Sequence, residues 1–277
     1  MLGPILHLTP KRFLSRVTGY LVHLPLPAPL SQASMKWFAN RYKIDLSEAE
    51  HDIGHYKSIG DLFVRRLKPG LRPLGAKDLV HPADSRITQM GSLEKGDLIQ
   101  AKGKTYRLRE FLGALDCKPY EKGAFATYYL CPTDYHRVHS PVTGKVRQVV
   151  YIPGALWPVN EWSTSHIDNL FSINERVVVE IETEKGLIAV VLVGATNVGQ
   201  MSLAFWPEFR TNAALQMKPI TREFGGGVAL QKGDELGAFH MGSTVVMCLS
   251  AEALPQDWNK LPLGHQVRVR ADFDQHV

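Results

Sequence analysis

The chain has 277 residues, 44% hydrophobic and 21% charged, with a formal net charge of +5. That length and balance suit one large core or a core with an appendage, and they exclude a disordered or fibrous chain. Lys11, Arg12, Arg16, Lys36, Arg41 and Lys43 fall in the first 43 residues, which hold no acid, whereas the remainder carries 26 basic and 27 acidic groups; this is a local cationic patch for an anionic surface, not a coat for nucleic acid.

Residues 1–45 read as two short amphipathic helices around a hinge at Pro25, Pro27 and Pro29. In the first, Leu14, Val17, Leu21 and Leu24 recur at helical spacing behind Lys11, Arg12 and Arg16; in the second, Ser31 is the expected cap and Met35, Phe38, Ala39 and Tyr42 line one face. With Trp37 among basic residues, the pair has the make-up of an interfacial membrane anchor, each cation adding about 1 kcal/mol near an anionic leaflet. The alternative is that these helices simply pack on the body. No apolar run is long enough to span a bilayer, and His23 with the prolines makes a poor signal peptide. Cys117, Cys131 and Cys248 form no C-x-x-C pair, so neither a disulfide framework nor a zinc knuckle is expected, and a reducing compartment is.

Residues 46–277 read as one β-rich domain. Ile59 to Leu67 is predicted as a capped helix ending at Lys68-Pro69-Gly70. After it come strands: Phe125 to Leu130, Lys145 to Tyr151, a hairpin of Val177 to Glu182 and Leu187 to Val193 around Thr183-Glu184-Lys185-Gly186, then Thr244 to Leu249 and Gln266 to Ala271. The fold class is therefore α+β, a mostly antiparallel β core with an N-terminal amphipathic helical segment that associates with membrane.

Three segments carry chemistry: Pro82-Ala83-Asp84, Asp134-Tyr135-His136-Arg137-Val138-His139 and Met241-Gly242-Ser243-Thr244. Singly they are a turn or cap, a strand-end polar pair or metal site, and a turn. Together they supply an acid, a base and a hydroxyl. Ser243 Oγ can attack the carbonyl of Gly242, whose missing Cβ permits the strained approach, with His139 as base and Asp84 fixing its tautomer. Intramolecular attack has effective molarities on the order of 10⁵ M or more, so a weak nucleophile suffices. The ester so formed eliminates to dehydroalanine, and hydrolysis releases ammonia and leaves a pyruvoyl group at 243, with fragments 1–242 and 243–277. That carbonyl can form a Schiff base with a substrate amine and accept electrons as carbon dioxide leaves, and His136 could then protonate the resulting carbon.

These motifs, with Phe171, Asn174-Glu175-Arg176, Val193-Gly194-Ala195-Thr196, Val198-Gly199 and Lys232-Gly233-Asp234-Glu235-Leu236-Gly237, resemble the phosphatidylserine decarboxylases in order and spacing over residues 36–250. The resemblance implies a pyruvoyl lyase of bacterial type, made as a zymogen and cleaved autocatalytically between Gly242 and Ser243, that converts phosphatidylserine to phosphatidylethanolamine in phospholipid biosynthesis. It implies Asp84, His139 and Ser243 as the self-processing triad, His136 in decarboxylation, the pyruvoyl group as sole cofactor with no metal, and the two fragments as a heterodimer that could assemble further as a homo-oligomer. An anionic membrane holding phosphatidylserine is the expected partner, and the cytoplasmic side of the cell membrane the expected peripheral location. The chain departs from the family pattern at Met241, where Leu is usual, and at Ser85, where Gly is frequent; a positive φ at 85 would disturb Asp84.

The rival readings are a pyruvoyl decarboxylase of a soluble amino acid, a Ser-His-Asp hydrolase, for which no G-x-S-x-G elbow surrounds Ser243, and a non-catalytic β-rich adaptor. Gly225-Gly226-Gly227 reads as a flexible surface link before a phosphate cradle, Arg137 as a partner of a carboxylate or phosphate or a structural ion pair, and Trp157, Trp162, Phe205 and Trp206 as core or acyl-chain entry.

Overall fold

The computed structural model describes residues 18–24, 26–93, 96–101, 104–196, 200–211, 218–240 and 243–277. The helix expected around Leu14 to Leu24 lies mostly outside them; its last part, residues 18–22, is helical. Helix α1, Ala28–Tyr42, starts three residues before the expected cap, with Pro27 as N-cap and a proline in its first turn, where a missing N–H costs nothing. Ser31 is inside the helix and donates instead to the carbonyl of Lys57. The helix stops at Lys43, which takes a left-handed conformation.

The face predicted from periodicity packs inward. Met35, Phe38 and Ala39 are buried against Tyr56, Leu62 and Phe63, whereas Tyr42 at the helix end stays partly exposed. A second stripe faces out, with Leu30 56% and Trp37 64% exposed, and Tyr20 and Leu21 in the helical residues 18–22 are exposed too. Helix α2, Ile59–Phe63, is capped by Ser58 Oγ as expected but is shorter than predicted. Beyond it the backbone pairs with an earlier segment, Ala49 bridging Leu67, so Arg65 to Leu67 leave the helix.

The body is built from an eight-stranded sheet in the order β11-β6-β7-β8-β13-β4-β1-β14, paired antiparallel throughout. Its strands are β1 (Ser85–Ser92), β4 (Ala124–Leu130), β6 (Gly144–Ile152), β7 (Arg176–Glu182), β8 (Leu187–Gly194), β11 (Ile220–Leu230), β13 (Ser243–Leu249) and β14 (Gln266–Val267). A four-stranded sheet, β10-β9-β12-β5, comprises β10 (Trp206–Arg210), β9 (Met201–Leu203), β12 (Glu235–Phe239) and β5 (Arg137–His139); β2 (Asp97–Ala101) and β3 (Lys104–Arg107) form a hairpin. The predicted β7–β8 hairpin is present, its turn closed by Thr183 and Gly186. The strand expected over Gln266 to Ala271 keeps only its first two residues, because the backbone N–H of Val269 turns to a carboxylate.

Gly225, Gly226 and Gly227 are not a flexible link. They lie within β11 where its register against β6 slips, and Gly226 and Gly227 have φ of +80° and +73°, a bulge that favours glycine. Strand β13 is central: it is paired along its whole length with β8 on one side and β4 on the other, and Val245 to Leu249 are fully buried. At roughly 2 kcal/mol for each large apolar side chain, that burial contributes on the order of 10 kcal/mol.

Candidate active site

Ser243 is the first residue of β13, paired with Leu130 at the end of β4 and Gly194 at the end of β8. Met241, Gly242 and the Ser243 side chain lie outside the described residues. The candidate site therefore lies at one end of the central strands, where β4, β8 and β13 meet the linkers to the smaller sheet: residues 131–136 run from β4 to β5, and residues 240–242 run from β12 to β13.

The 131–136 linker is a tight turn. The Cys131 N–H donates to Asp134 Oδ2 at 2.7 Å and the Asp134 N–H returns to the Cys131 carbonyl at 2.9 Å, the local bonding that suits aspartate in turns. Gln266 donates to the other carboxylate oxygen at 3.0 Å. Burial outweighs these bonds and raises the Asp134 carboxyl to about 6.

His136 follows, fully buried, its ring 4.0 Å from that of Phe63. Its Nδ1–H donates to the Asp134 carbonyl at 2.8 Å, since a carbonyl can only accept, and Nε2 is buried with no partner among the described residues. Burial pushes its pKa down to about 3, against the raising effect of that carbonyl, with Arg65 adding a further lowering. This imidazole is neutral near pH 7 and offers a bare lone pair. In this form Nε2 is a hydrogen-bond acceptor, able to take up a proton before giving one.

His139, at the end of β5, is oriented in the same way by a different group. Its Nδ1–H donates to the Gly233 carbonyl at 2.8 Å, and its Nε2 accepts from the Tyr135 hydroxyl at 3.2 Å. Burial lowers its pKa while the Gly233 carbonyl opposes that. Gly233 reaches this place because the Gln231–Asp234 turn gives it φ +85°, and its own N–H donates to the Ser140 carbonyl. The Lys232-Gly233-Asp234-Glu235 segment thus holds the histidine, and Glu235 holds Arg137 at 2.6 Å, with the Arg137 Nε on the Val64 carbonyl. Arg137 is a structural ion pair.

The orientation of His139 expected from Asp84 is supplied by Gly233 instead. Asp84 is buried and accepts from Arg72 Nη2 at 2.6 Å, from Arg268 Nη1 at 3.3 Å and from the Val269 N–H at 2.8 Å. Guanidinium charge draws the carboxylate more strongly than a neutral ring does. Burial works against the Arg72 charge, but its bonds to Asp84 and Glu48 more than offset this and raise its pKa. Asp84 reaches His139 through the backbone, since the His139 N–H donates to the carbonyl of Pro82, two residues earlier. Ser85 is an ordinary strand residue whose φ is not positive, so the missing glycine does not disturb Asp84. Sequence reasoning missed Arg72, Tyr135, Arg268 and the Gly233 carbonyl as members of this site; only Gly233, within a conspicuous glycine turn, left a readable signal.

A cleft of about 1010 Å³ lined by Lys77, Lys145, Thr183, Lys185 and Lys232 opens at the β7–β8 turn, the opposite end of the sheet from Ser243. Two of its lysines are spent on neighbouring acids, Lys77 on Asp257 and Asp274 and Lys185 on Asp78.

Comparison with known proteins follows the same lines. The family model described as phosphatidylserine decarboxylase matches residues 59–271. The chain is 42% identical over 256 residues to a phosphatidylserine decarboxylase proenzyme of Myxococcus xanthus, covering 91% of this chain and 90% of the relative. It is 42% identical over 268 residues to the proenzyme of that name from Anaeromyxobacter sp., covering 95% and 94%, and 42% identical over 257 residues to one from Shewanella sp. strain MR-4, covering 90% and 87%.

Proposed function

The chain belongs to the phosphatidylserine decarboxylase family, and from that premise we propose that it is a proenzyme that cleaves itself between Gly242 and Ser243 and then decarboxylates phosphatidylserine to phosphatidylethanolamine. The observation that supports the reading is the tautomer at His139: with Nδ1–H taken by Gly233, Nε2 carries the lone pair of a base, held by the Tyr135 hydroxyl until the Ser243 hydroxyl replaces it, on a strand paired with β12, which leads to residue 243 through residues 240–242.

In self-cleavage, His139 Nε2 takes the Ser243 hydroxyl proton as Oγ bonds to the Gly242 carbonyl carbon, and the amide nitrogen leaves with a proton. Loss of the Cα hydrogen then breaks the ester, giving a carboxylate at 242 and dehydroalanine at 243, and water releases ammonia. Asp84 belongs to this step as a positioning residue: clamped by Arg72 and Arg268, it fixes the Pro82–Asp84 segment to which the His139 backbone is bonded.

The residues fit a pyruvoyl group, since position 243 provides its atoms and the adjoining linker offers the Nε2 of His136, which has no partner among the described residues. When present, that group supplies the electrophilic carbonyl that holds the substrate amine and accepts electrons as carbon dioxide leaves. His136, neutral at first, takes a proton from the substrate ammonium and returns one to the carbon that has lost its carboxylate.

Membrane docking is part of the same proposal. Leu30 and Trp37 form an exposed apolar stripe on α1, among Lys36, Arg41 and Lys43 in sequence, and Tyr20 and Leu21 are exposed as well, a composition suited to the headgroup boundary of an anionic leaflet. No helix among the described residues is long and apolar enough to cross a membrane. A peripheral position on the cytoplasmic face fits these features and the cysteine pattern. The test is carbon dioxide release from vesicles containing phosphatidylserine: wild type is active and Ser243→Ala is inactive, whereas activity in Ser243→Ala refutes the reading.

A further inference from the structure

Phosphatidylserine carries its phosphodiester only a few bonds from the carbon that loses carboxylate, so an anion-binding group is required close to the decarboxylation histidine. The arginines around His136 and His139 are mostly spent. Arg137 is on Glu235 and the Val64 carbonyl, Arg72 on Asp84 and Glu48, and Arg268 on Asp84. Arg65 differs from them. It is 3% exposed, its Nη2 makes one long bond of 3.4 Å to the Thr133 carbonyl, and its Nε and Nη1 are buried without a partner among the described residues. Burial depresses its pKa, an effect that Tyr56, Glu48, Asp84 and Tyr135 partly offset.

Arg65 belongs to the catalytic linker by position. It lies two residues beyond α2, and residues 63–65 meet the linker and β5 at three points: the Phe63 ring on His136, the Val64 carbonyl on Arg137, and Arg65 on Thr133. A desolvated guanidinium with two open donor groups has the planar fork that matches a phosphate, and leaving those donors empty is costly. We infer that Arg65 receives the phosphodiester of the lipid headgroup and so selects phosphatidylserine over serine derivatives without phosphate. This rests on the function proposed above.

The experiment uses the self-cleaved enzyme, with cleavage checked for every variant by the appearance of both fragments. Two substrates are compared in mixed micelles: phosphatidylserine, and a long-chain alkyl ester of serine that keeps a free amine but lacks phosphate. For Arg65→Gln, the ratio of kcat/KM for phosphatidylserine to that for the ester is expected to fall about tenfold or more, mainly through KM, with partial recovery in Arg65→Lys. Glycerophosphoserine should inhibit wild-type turnover of the ester, and inhibit Arg65→Gln more weakly. Equal losses on both substrates would make Arg65 merely structural and overturn the inference, as would the same discrimination appearing in Arg270→Gln, whose Nε is likewise buried without a partner among the described residues. Inhibition by inorganic phosphate with an unchanged KM for phosphatidylserine would assign the site to free phosphate and also overturn it. If neither Arg65 variant is cleaved, wild type alone decides: no inhibition of ester turnover by glycerophosphoserine contradicts the proposal. Wild type inactive on phosphatidylserine is a different failure, that of the parent reading.

Discussion

His136 and His139 are three residues apart, and both give their Nδ1–H to a backbone carbonyl and keep Nε2 as an acceptor, yet their surroundings separate their tasks. His139 keeps a hydroxyl neighbour and partial exposure, and its pKa is lowered from 6.5 mainly by burial. A base with a depressed pKa stays competent above its unperturbed value and is lost as pH falls through the lowered one. Conversion of newly synthesised precursor to fragments should therefore proceed at a constant rate above about pH 6.5 and slow on acidification; a rate that declines already above pH 7 would not fit His139 as the base. His136 stands apart, sealed against Phe63. His136→Ala should still cleave itself while losing decarboxylation by about 10²-fold or more, which gel analysis and carbon dioxide release distinguish; loss of cleavage as well would mean that the two histidines do not divide the work.

Among the elements, the turn at Gln231–Asp234 matters most to the chemistry. Gly233→Ala would place a side chain at φ +85° and bring its Cβ to 2.9 Å from both Leu74 Cδ1 and Arg270 Nε, at a cost of about 1–2 kcal/mol, and would misdirect the carbonyl that holds His139. A thermal melt should show the lower stability and a time course the slower processing. The strands were readable because Val177 to Val179 and Leu187 to Val193 are apolar runs bounded by a plain turn. Elements set by tertiary pairing were not: Arg65 to Leu67 leave α2 for a bridge with Ala49, and β14 stops where Val269 turns to Asp84. The same limit hid the clamp on Asp84, because Arg72 and Arg268 are far apart in the chain and resemble surface residues in sequence. On α1, periodicity found the stripe of Met35, Phe38 and Ala39, but nothing local distinguishes a stripe that meets protein from one that meets lipid. The outward stripe makes its own prediction. Trp37→Glu should leave the melting temperature nearly unchanged and reduce co-sedimentation with anionic vesicles by about tenfold; unchanged binding would remove α1 from the docking surface.

On the scale of the whole molecule, cleavage at 242–243 would free the terminus of a central strand without freeing the strand. β13 stays bonded between β4 and β8, and Phe273 downstream is buried in the same core. The fragments should co-elute under native conditions and separate only in denaturant. Stability should also depend on pH through buried neutral histidines. Burial lowers His81 and His240 to about 4 and His136 to about 3, so the unfolded chain binds protons more readily, and the stability these groups contribute is present above about pH 6.5 and lost as pH falls toward those values. Asp134, raised to about 6, acts in the opposite sense, favouring the fold at low pH and losing that contribution as pH rises through 6. With His139 lowered as well, four histidines against one carboxyl predict a melting temperature that falls between pH 6.5 and 4; a rise over that range would contradict the assignment. The most direct test of the whole account is the intact mass of freshly purified protein that decarboxylates phosphatidylserine. Two fragments are predicted, 1–242 and 243–277, the smaller beginning with a pyruvoyl group where Ser243 was encoded, and full activity from an unbroken 31.0 kDa chain would contradict it.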